Sequence, residues 1–180
     1  MNRNTKMLVR SALLAALTAV GAFIKIPLGV SSITLQFFFT AMAGCLLGPY
    51  WGAASQGVYV LLGLVGLPIF TQGGGFGYVL QPTFGFLLGL IPSALVMGLL
   101  TKKSRRPLRV VLACVAGLAV LYAVGLPYMG LILNVYLGKG WSFARLLRDG
   151  MLIFLPGDAL KIAVAAVLFP KLSVFFDKKQ

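Results

Sequence analysis

Long apolar runs divide the chain into segments, and glycine, proline or basic residues separate one run from the next. A helix that crosses a bilayer needs about 20 mainly apolar residues. The runs therefore predict six membrane-spanning helices, at about Met7–Ile26, Thr34–Leu47, Trp51–Leu67, Pro82–Leu100, Leu108–Leu126 and Met151–Leu172. We expect residues 1–180 to form a single all-α domain, a six-helix integral membrane bundle without room for a separate soluble domain.

Proline and glycine set the expected ends of these helices. We expect an irregular loop at Lys25–Ile33, an end of the fifth helix at Pro127, and a regular sixth helix that begins only at Asp158, after Pro156-Gly157. Between the fifth and sixth helices, aromatic and basic residues alternate with apolar ones, which is typical of the membrane interface.

Composition and charge agree with a membrane protein, because 59% of the 180 residues are hydrophobic and only 11% are charged. A soluble domain carries about 25% charged residues. The net charge of +13 comes largely from three clusters: Arg3, Lys6 and Arg10; Lys102, Lys103, Arg105, Arg106 and Arg109; and Lys171, Lys178 and Lys179. Lys and Arg concentrate on the cytoplasmic side of membranes, and six crossings place all three clusters and both termini there. The charge therefore indicates a lipid bilayer and no nucleic acid.

Several kinds of chemistry have no support in the sequence. Histidine is absent, which removes imidazole metal sites and Ser-His dyads. Cys45 and Cys114 lie in different apolar segments and are expected to be packing residues. The glycine run after Gln72 does not match a dinucleotide fingerprint, and Lys139 lacks the following Ser or Thr of a P-loop. We expect no catalytic residue, cofactor, metal, cleaved signal peptide or direct use of ATP.

Two opposite charges fall inside the sixth apolar segment. Asp158 and Lys161 are three residues apart and therefore project from one helix face. An unpaired charge inside a membrane costs about 2.5–3.5 kcal/mol, so we expect the two to pair. The pair either anchors the helix, or faces a cavity and offers a solute one acceptor and one donor. A cyclic urea or amide fits both groups, and a carboxylate fits Lys161 alone.

Polar residues and glycines also mark two loops on the outer side. The first carries Ser31, Ser32, Thr34 and Gln36; the second carries Gly73, Gly74, Gly75 and Tyr78, followed by Thr83. Irregular backbone at membrane depth is tolerated where it lines a cavity. These loops either close over a solute or are ordinary interfacial turns.

The first apolar segment has small residues four apart, Ala12 with Ala16 and Ala15 with Ala19. Such spacing lets another helix approach closely. The alanines predict a docking strip for a partner or a packing surface inside this protein, and their spacing does not decide between the two.

Five short stretches follow one another from the first loop to the last helix: Ser32-Ile-Thr-Leu-Gln-Phe37, Leu47-Gly-Pro-Tyr-Trp-Gly52, Gly66-Leu-Pro-Ile-Phe70 leading to Gly73-Gly-Gly75, Gln81-Pro-Thr-Phe-Gly-Phe86, and Leu155-Pro-Gly-Asp-Ala-Leu-Lys161. In this order they resemble the BioY family, the biotin-specific substrate-capture components of energy-coupling factor (ECF) transporters. The region Leu108–Arg148 is similar mainly in hydropathy.

This resemblance implies a six-helix bundle of the bacterial plasma membrane that binds biotin near its outer side, under the first and third extracellular loops. It implies that Asp158 and Lys161 hold the ureido ring, surrounded by Thr34, Gln36, Gly73, Gly74, Gly75, Tyr78, Thr83 and Phe84. Many relatives have Gly-Pro-Thr-Gly-Gly where this chain has Gln81–Gly85, so Phe84 changes the expected pocket shape. The alanine strip would dock to a transmembrane coupling subunit that carries two cytosolic ATPases.

Other functions fit parts of the pattern. A different heterocyclic vitamin would suit the same charge pair. An intramembrane enzyme would need Lys161 to activate a serine, and no serine lies near it in sequence. A passive channel or an assembly subunit is a third possibility, although the apolar segments carry no polar stripe for water.

Overall fold

The computed structural model describes residues 2–28, 31–102 and 106–177, without the side chains of Phe175 and Asp177. Gly29 of the first loop, and Lys103, Arg105, Lys178 and Lys179 of the basic clusters, lie outside the described residues. Within these ranges the chain is mainly helical, with α1 (Arg3–Phe23), α2 (Gln36–Leu47), α3 (Pro49–Leu64), α4 (Phe84–Thr101), α5 (Pro107–Leu131), α6 (Phe143–Leu147) and α7 (Leu155–Asp177).

A short antiparallel hairpin replaces most of the loop predicted after the first helix. Its strands are β1 (Lys25–Leu28) and β2 (Ser31–Thr34), and Lys25 lies opposite Thr34. Strand pairing satisfies backbone groups that would otherwise be costly near the membrane. The remaining short elements are a 3₁₀ helix at Phe76–Leu80 and π-helical turns at Ile132–Tyr136 and Arg148–Leu152.

Four helical stretches in the described residues are long and apolar enough to cross a membrane: Arg3–Phe23, Phe84–Thr101, Pro107–Tyr136 and Phe143–Val174. The 12 residues of α2 make a helix about 18 Å long at 1.5 Å per residue. The 16 residues of α3 make one of about 24 Å. Both are shorter than the roughly 30 Å hydrocarbon core, and α2 is apolar. The protein is thus an all-helical membrane protein whose helices differ in length.

Several helix ends differ by a few residues from the sequence prediction, and two of these differences involve a proline. The prediction that Pro127 ends the fifth helix is wrong, because α5 continues to Leu131 and then into the π-helical turn. Prolines are tolerated inside membrane helices when local π adjustments and neighbouring groups satisfy the freed backbone. The last long helix, α7, begins at Leu155 rather than Asp158, since Pro156 lies in the first turn, where its missing N–H needs no partner.

Small residues hold the central helices close together. A Cβ atom added to Gly44 would lie 2.5 Å from the carbonyl oxygen of Ala94, and one added to Gly98 would lie 2.5 Å from the backbone nitrogen of Pro49. Membrane helices use such residues to bring their backbones into contact. The packing fixes α2 against α4, and α2 begins at Gln36, which faces the site described next.

Candidate ligand-binding cavity

The first turns of α7 carry a buried ion pair. The Nζ atom of Lys161 lies 2.6 Å from Oδ1 of Asp158, as the three-residue spacing on one helix face predicts. Only 4% of Asp158 and 9% of Lys161 are exposed. Because a buried charge needs a partner, the contact stabilises both groups inside the protein. It also leaves a strong acceptor and a strong donor side by side.

A tyrosine from another helix donates a second hydrogen bond to the carboxylate. The hydroxyl of Tyr122, on α5, donates to Oδ2 of Asp158 at 2.6 Å. Hydrogen bonds to an ionised acceptor are stronger than neutral ones. Tyr122 was not predicted from the sequence, since it lies 36 residues from Asp158 and its spacing gives no sign that α5 and α7 meet there.

A second set of hydrogen-bonded polar side chains begins at Thr34 of the hairpin and includes Gln36 and Tyr59. Thr34 donates to Oε1 of Gln36 at 3.0 Å, and Nε2 of Gln36 donates to the hydroxyl of Tyr59 at 2.7 Å. Tyr59 in turn donates to the carbonyl of Ile69 at 3.0 Å. These hydrogen bonds fix the Gln36 amide and tie α2 to the third loop, the segment 65–83 between α3 and α4. Tyr59, which is fully buried, was also missed from sequence.

These groups meet at one cavity. Its apolar walls come from Phe37, Phe86, Leu87, Leu90, Leu121 and Phe154, and its polar lining includes the Asp158–Lys161 pair, Tyr122, Thr34 and Gln36. Ser31 and Ser32 of the hairpin and Thr71 and Gln72 of the third loop also line it. The space open to the centres of water-sized molecules is about 100 Å³, several times the roughly 10–15 Å³ that one water needs.

One lining hydroxyl has no protein partner. Among the described side chains, Oγ1 of Thr83 is buried and makes no hydrogen bond, although Thr83 lines the cavity. Buried polar groups are nearly always hydrogen-bonded. An unsatisfied hydroxyl at a cavity wall is therefore suited to a polar group of a bound solute.

The structure brings six of the predicted site residues to the cavity: Thr34, Gln36, Tyr78, Thr83, Asp158 and Lys161. Gly73, Gly74, Gly75 and Phe84 are not among its lining residues. The amide of Gly75 donates to the carbonyl of Gly63 at 2.7 Å, and a Cβ on Gly74 would lie 2.0 Å from the carbonyl oxygen of Leu67. The glycines thus shape the loop around the end of α3.

Phe84 lies behind the cavity wall. It is buried and its ring packs edge-on against Tyr78 and Tyr128. Tyr78 lines the cavity and its hydroxyl lies 3.0 Å from Oγ1 of Thr71. Phe84 therefore supports a lining tyrosine.

The four alanines of α1 do not form one surface. Ala15 is buried and Ala19 half-buried, so this pair packs inside the protein, whereas Ala12 and Ala16 are exposed. Exposed apolar residues flank the outer pair: Leu8, Leu13 and Val20. Ala12 and Ala16 are therefore the two of the four alanines that are exposed, among larger exposed apolar side chains.

An all-helical membrane bundle that encloses a cavity with apolar walls, one strong donor and one strong acceptor defines a membrane protein that binds a small solute. The sequence profile of the BioY family matches residues 1–178. This chain belongs to the BioY family.

Individual relatives are similar over nearly the whole chain. The probable biotin transporter BioY of Lysinibacillus sphaericus is 45% identical over 97% of this chain and 90% of its own length. The biotin transporter BioY of Thermotoga maritima is 36% identical over 91% of this chain and 93% of its own. Among solved structures, the S-component for biotin from an ECF-type ABC transporter superposes with a TM-score of 0.82 at 29% identity, covering 96% of this chain and 94% of that one.

Proposed function

We propose that this protein captures biotin in the cavity and acts as the substrate-binding (S) component of an ECF-type transporter. The observation that carries the proposal is the Asp158–Lys161 pair, which is buried and lines a cavity. The two relatives named above are a probable biotin transporter and a biotin transporter, and the protein is a transport component, not an enzyme.

The cavity supports this ligand by its chemistry. Biotin has a cyclic urea, whose N–H groups suit Asp158 and whose carbonyl suits Lys161. Its sulfur-containing ring and aliphatic chain suit the apolar walls. Thr83 offers a free hydroxyl, and the Thr34–Gln36 pair offers polar atoms of fixed orientation. In this proposal Gly73, Gly74, Gly75 and Phe84 act on the ligand indirectly, through the third loop and Tyr78.

We propose that the whole chain forms one domain with six crossings, made by α1 to α5 and α7. The short α2 and α3 cross by local thinning of the bilayer, which costs only fractions of a kcal/mol per Å of mismatch. Arg10 supports termini on one side, since its Nη1 donates to the carbonyl of Phe176 at 3.2 Å. Positive charge near both ends places them in the cytoplasm, and the hairpin and third loop cap the outer side in the bacterial plasma membrane.

The phosphate-binding motifs considered above are incomplete in this sequence. Transport against a gradient therefore needs an energy source outside this chain. We propose that a transmembrane coupling subunit with two cytosolic ATPases supplies it. The exposed surface at Ala12 and Ala16 is the proposed docking surface on this side, because small residues allow a close helix approach.

Calorimetric titration of the purified protein with biotin tests the proposal. We expect binding, and a loss of at least tenfold, about 1.4 kcal/mol, in Asp158→Asn and in Lys161→Ala. Asp149→Asn and Lys139→Ala are matched controls, since neither residue lines the cavity. Unchanged affinity in both cavity variants would reject the assigned site.

The charge pair also suits other small heterocycles with adjacent N–H and C=O groups, so a second candidate is an S component for another vitamin. The same titration with a panel of heterocyclic vitamins separates the two. We expect biotin to bind far more tightly than the others, and a tighter ligand in the panel would replace it.

A further inference from the structure

A lysine outside the cavity lining lies beside the loop residues that line the cavity, which we call the rim: Ser31, Ser32, Thr34, Thr71 and Gln72. Lys25 is on β1, opposite Thr34 of β2, and opposite residues of an antiparallel pair project to the same face. The Nζ atom of Lys25 donates to the carbonyl oxygen of Thr71 in the third loop. Thr34 and Thr71 both line the cavity. The ammonium group therefore lies between the hairpin and the third loop, beside the rim.

The charges inside the cavity cancel each other. Among the described lining residues, Asp158 and Lys161 are the charged ones, and they form an ion pair with each other. The lining near the loops is polar but neutral, with Ser31, Ser32, Thr71 and Gln72. A solute that carries a carboxylate would thus bring in a negative charge that this lining does not balance.

Lys25 can balance that charge with little rearrangement. Its present partner is a neutral carbonyl oxygen, and an ammonium group bonds more strongly to a carboxylate than to a neutral acceptor. Lys25 is exposed, so its charge is already solvated and its side chain has room to turn toward the rim.

We propose that Lys25 is the carboxylate-binding residue of the rim and sets the direction in which an elongated monocarboxylate enters. The ring end of the solute then lies at Asp158 and Lys161, and the acid end lies between the hairpin and the third loop. This inference rests on the proposed function, since it uses biotin's chain with a terminal acid.

Two other roles would give different results. If Lys161 holds the carboxylate, the solute lies the other way round and Lys25 has no effect on affinity. If Lys25 only fastens the hairpin to the third loop, its loss weakens every ligand equally, whether or not the ligand is charged.

The test is a comparison of biotin with biotin amide, which lacks the negative charge, in calorimetric titrations of the purified full chain. For the unchanged protein we expect biotin to bind about threefold to tenfold more tightly than the amide, and this preference to shrink at high salt. Lys25→Met should weaken biotin to the level of the amide and leave the amide unchanged. Lys25→Arg should keep the preference.

Lys139→Met is the matched control, since it removes an exposed cation outside the lining, and it should behave as the unchanged protein. Equal weakening of both ligands by Lys25→Met, or no weakening of either, would overturn the inference. Failure of the unchanged protein to bind either ligand would instead overturn the proposed function.

Discussion

The hydroxyl of Tyr122 on α5 donates to Oδ2 of Asp158 on α7 at 2.6 Å, while Oδ1 of the same carboxylate is bonded to Lys161. The carboxylate is therefore held from two helices, and its orientation in the cavity does not depend on a ligand. Such preorganisation reduces the entropy lost on binding.

Tyr122→Phe should weaken biotin binding by about threefold to tenfold. The carboxylate would lose one of its two partners, and ordering a side chain on binding costs roughly 0.5–1.5 kcal/mol. Calorimetric titration measures the change. Tyr136→Phe, at a residue that is 57% exposed, is the control.

A double variant sharpens this prediction. If Tyr122 acts through Asp158, adding Tyr122→Phe to Asp158→Asn should weaken binding much less than it does in the unchanged protein, because the two groups share one interaction. Fully additive effects would show that Tyr122 acts on the ligand by another route.

Tyr59→Phe should lower the free energy of unfolding by about 1–3 kcal/mol. The change leaves the Gln36 amide and the Ile69 carbonyl without their partner, and a buried unsatisfied group costs about that much. Thermal unfolding in detergent is the measurement. Tyr50→Phe, at a residue that is 77% exposed, should leave unfolding unchanged, and an equal effect of both variants would contradict the prediction.

Gly44→Ala should destabilise the bundle, although alanine normally favours a helix over glycine by about 0.5–1 kcal/mol. The reason is the 2.5 Å separation between the added Cβ and the carbonyl oxygen of Ala94, which forces α2 and α4 apart. Gly57→Ala is the matched control on α3, since its Cβ would have nothing within 4 Å. We expect a lower melting temperature for Gly44→Ala and an unchanged or higher one for Gly57→Ala.

Ala16→Trp should abolish biotin uptake by cells that contain the whole transporter while leaving biotin binding by the purified chain intact. Ala16 is exposed on α1, and a tryptophan there would obstruct the proposed docking surface. Val115→Trp, on the exposed face of α5, controls for bulk added toward lipid. Normal uptake with Ala16→Trp would place the docking surface elsewhere.

Much of the architecture follows from the sequence because the bilayer imposes simple rules. The apolar runs predicted the main helices. For example, α4 ends at Thr101, one residue after the predicted end at Leu100. Two of the helix ends that differ from the prediction lie at Pro127 and Pro156, where the helix continues through the proline or begins just before it. Whether a proline ends a helix depends on groups outside the local sequence that satisfy the freed backbone.

The candidate site was predictable in part for a similar reason. Charges are rare inside apolar segments, so Asp158 and Lys161 were visible from sequence, and their spacing on one helix predicted the ion pair. Tyr122 and Tyr59 were not, because tyrosine is common in apolar helices and each acts on a residue of a different helix. The spacing of the alanines in α1 did not show which of them face the protein interior. In the structure Ala15 is buried and Ala16 is exposed.

By itself, the sequence determined that the chain lies in a membrane, which segments are helical, and which two charges pair, since each of these depends on hydrophobic burial or on contacts within one helix. Only the tertiary structure decided that the pair lines a cavity, that Tyr122 holds its carboxylate, and that Lys25 lies at the rim. Those relationships join residues far apart in the chain, and the close packing of different helices and loops brings them together.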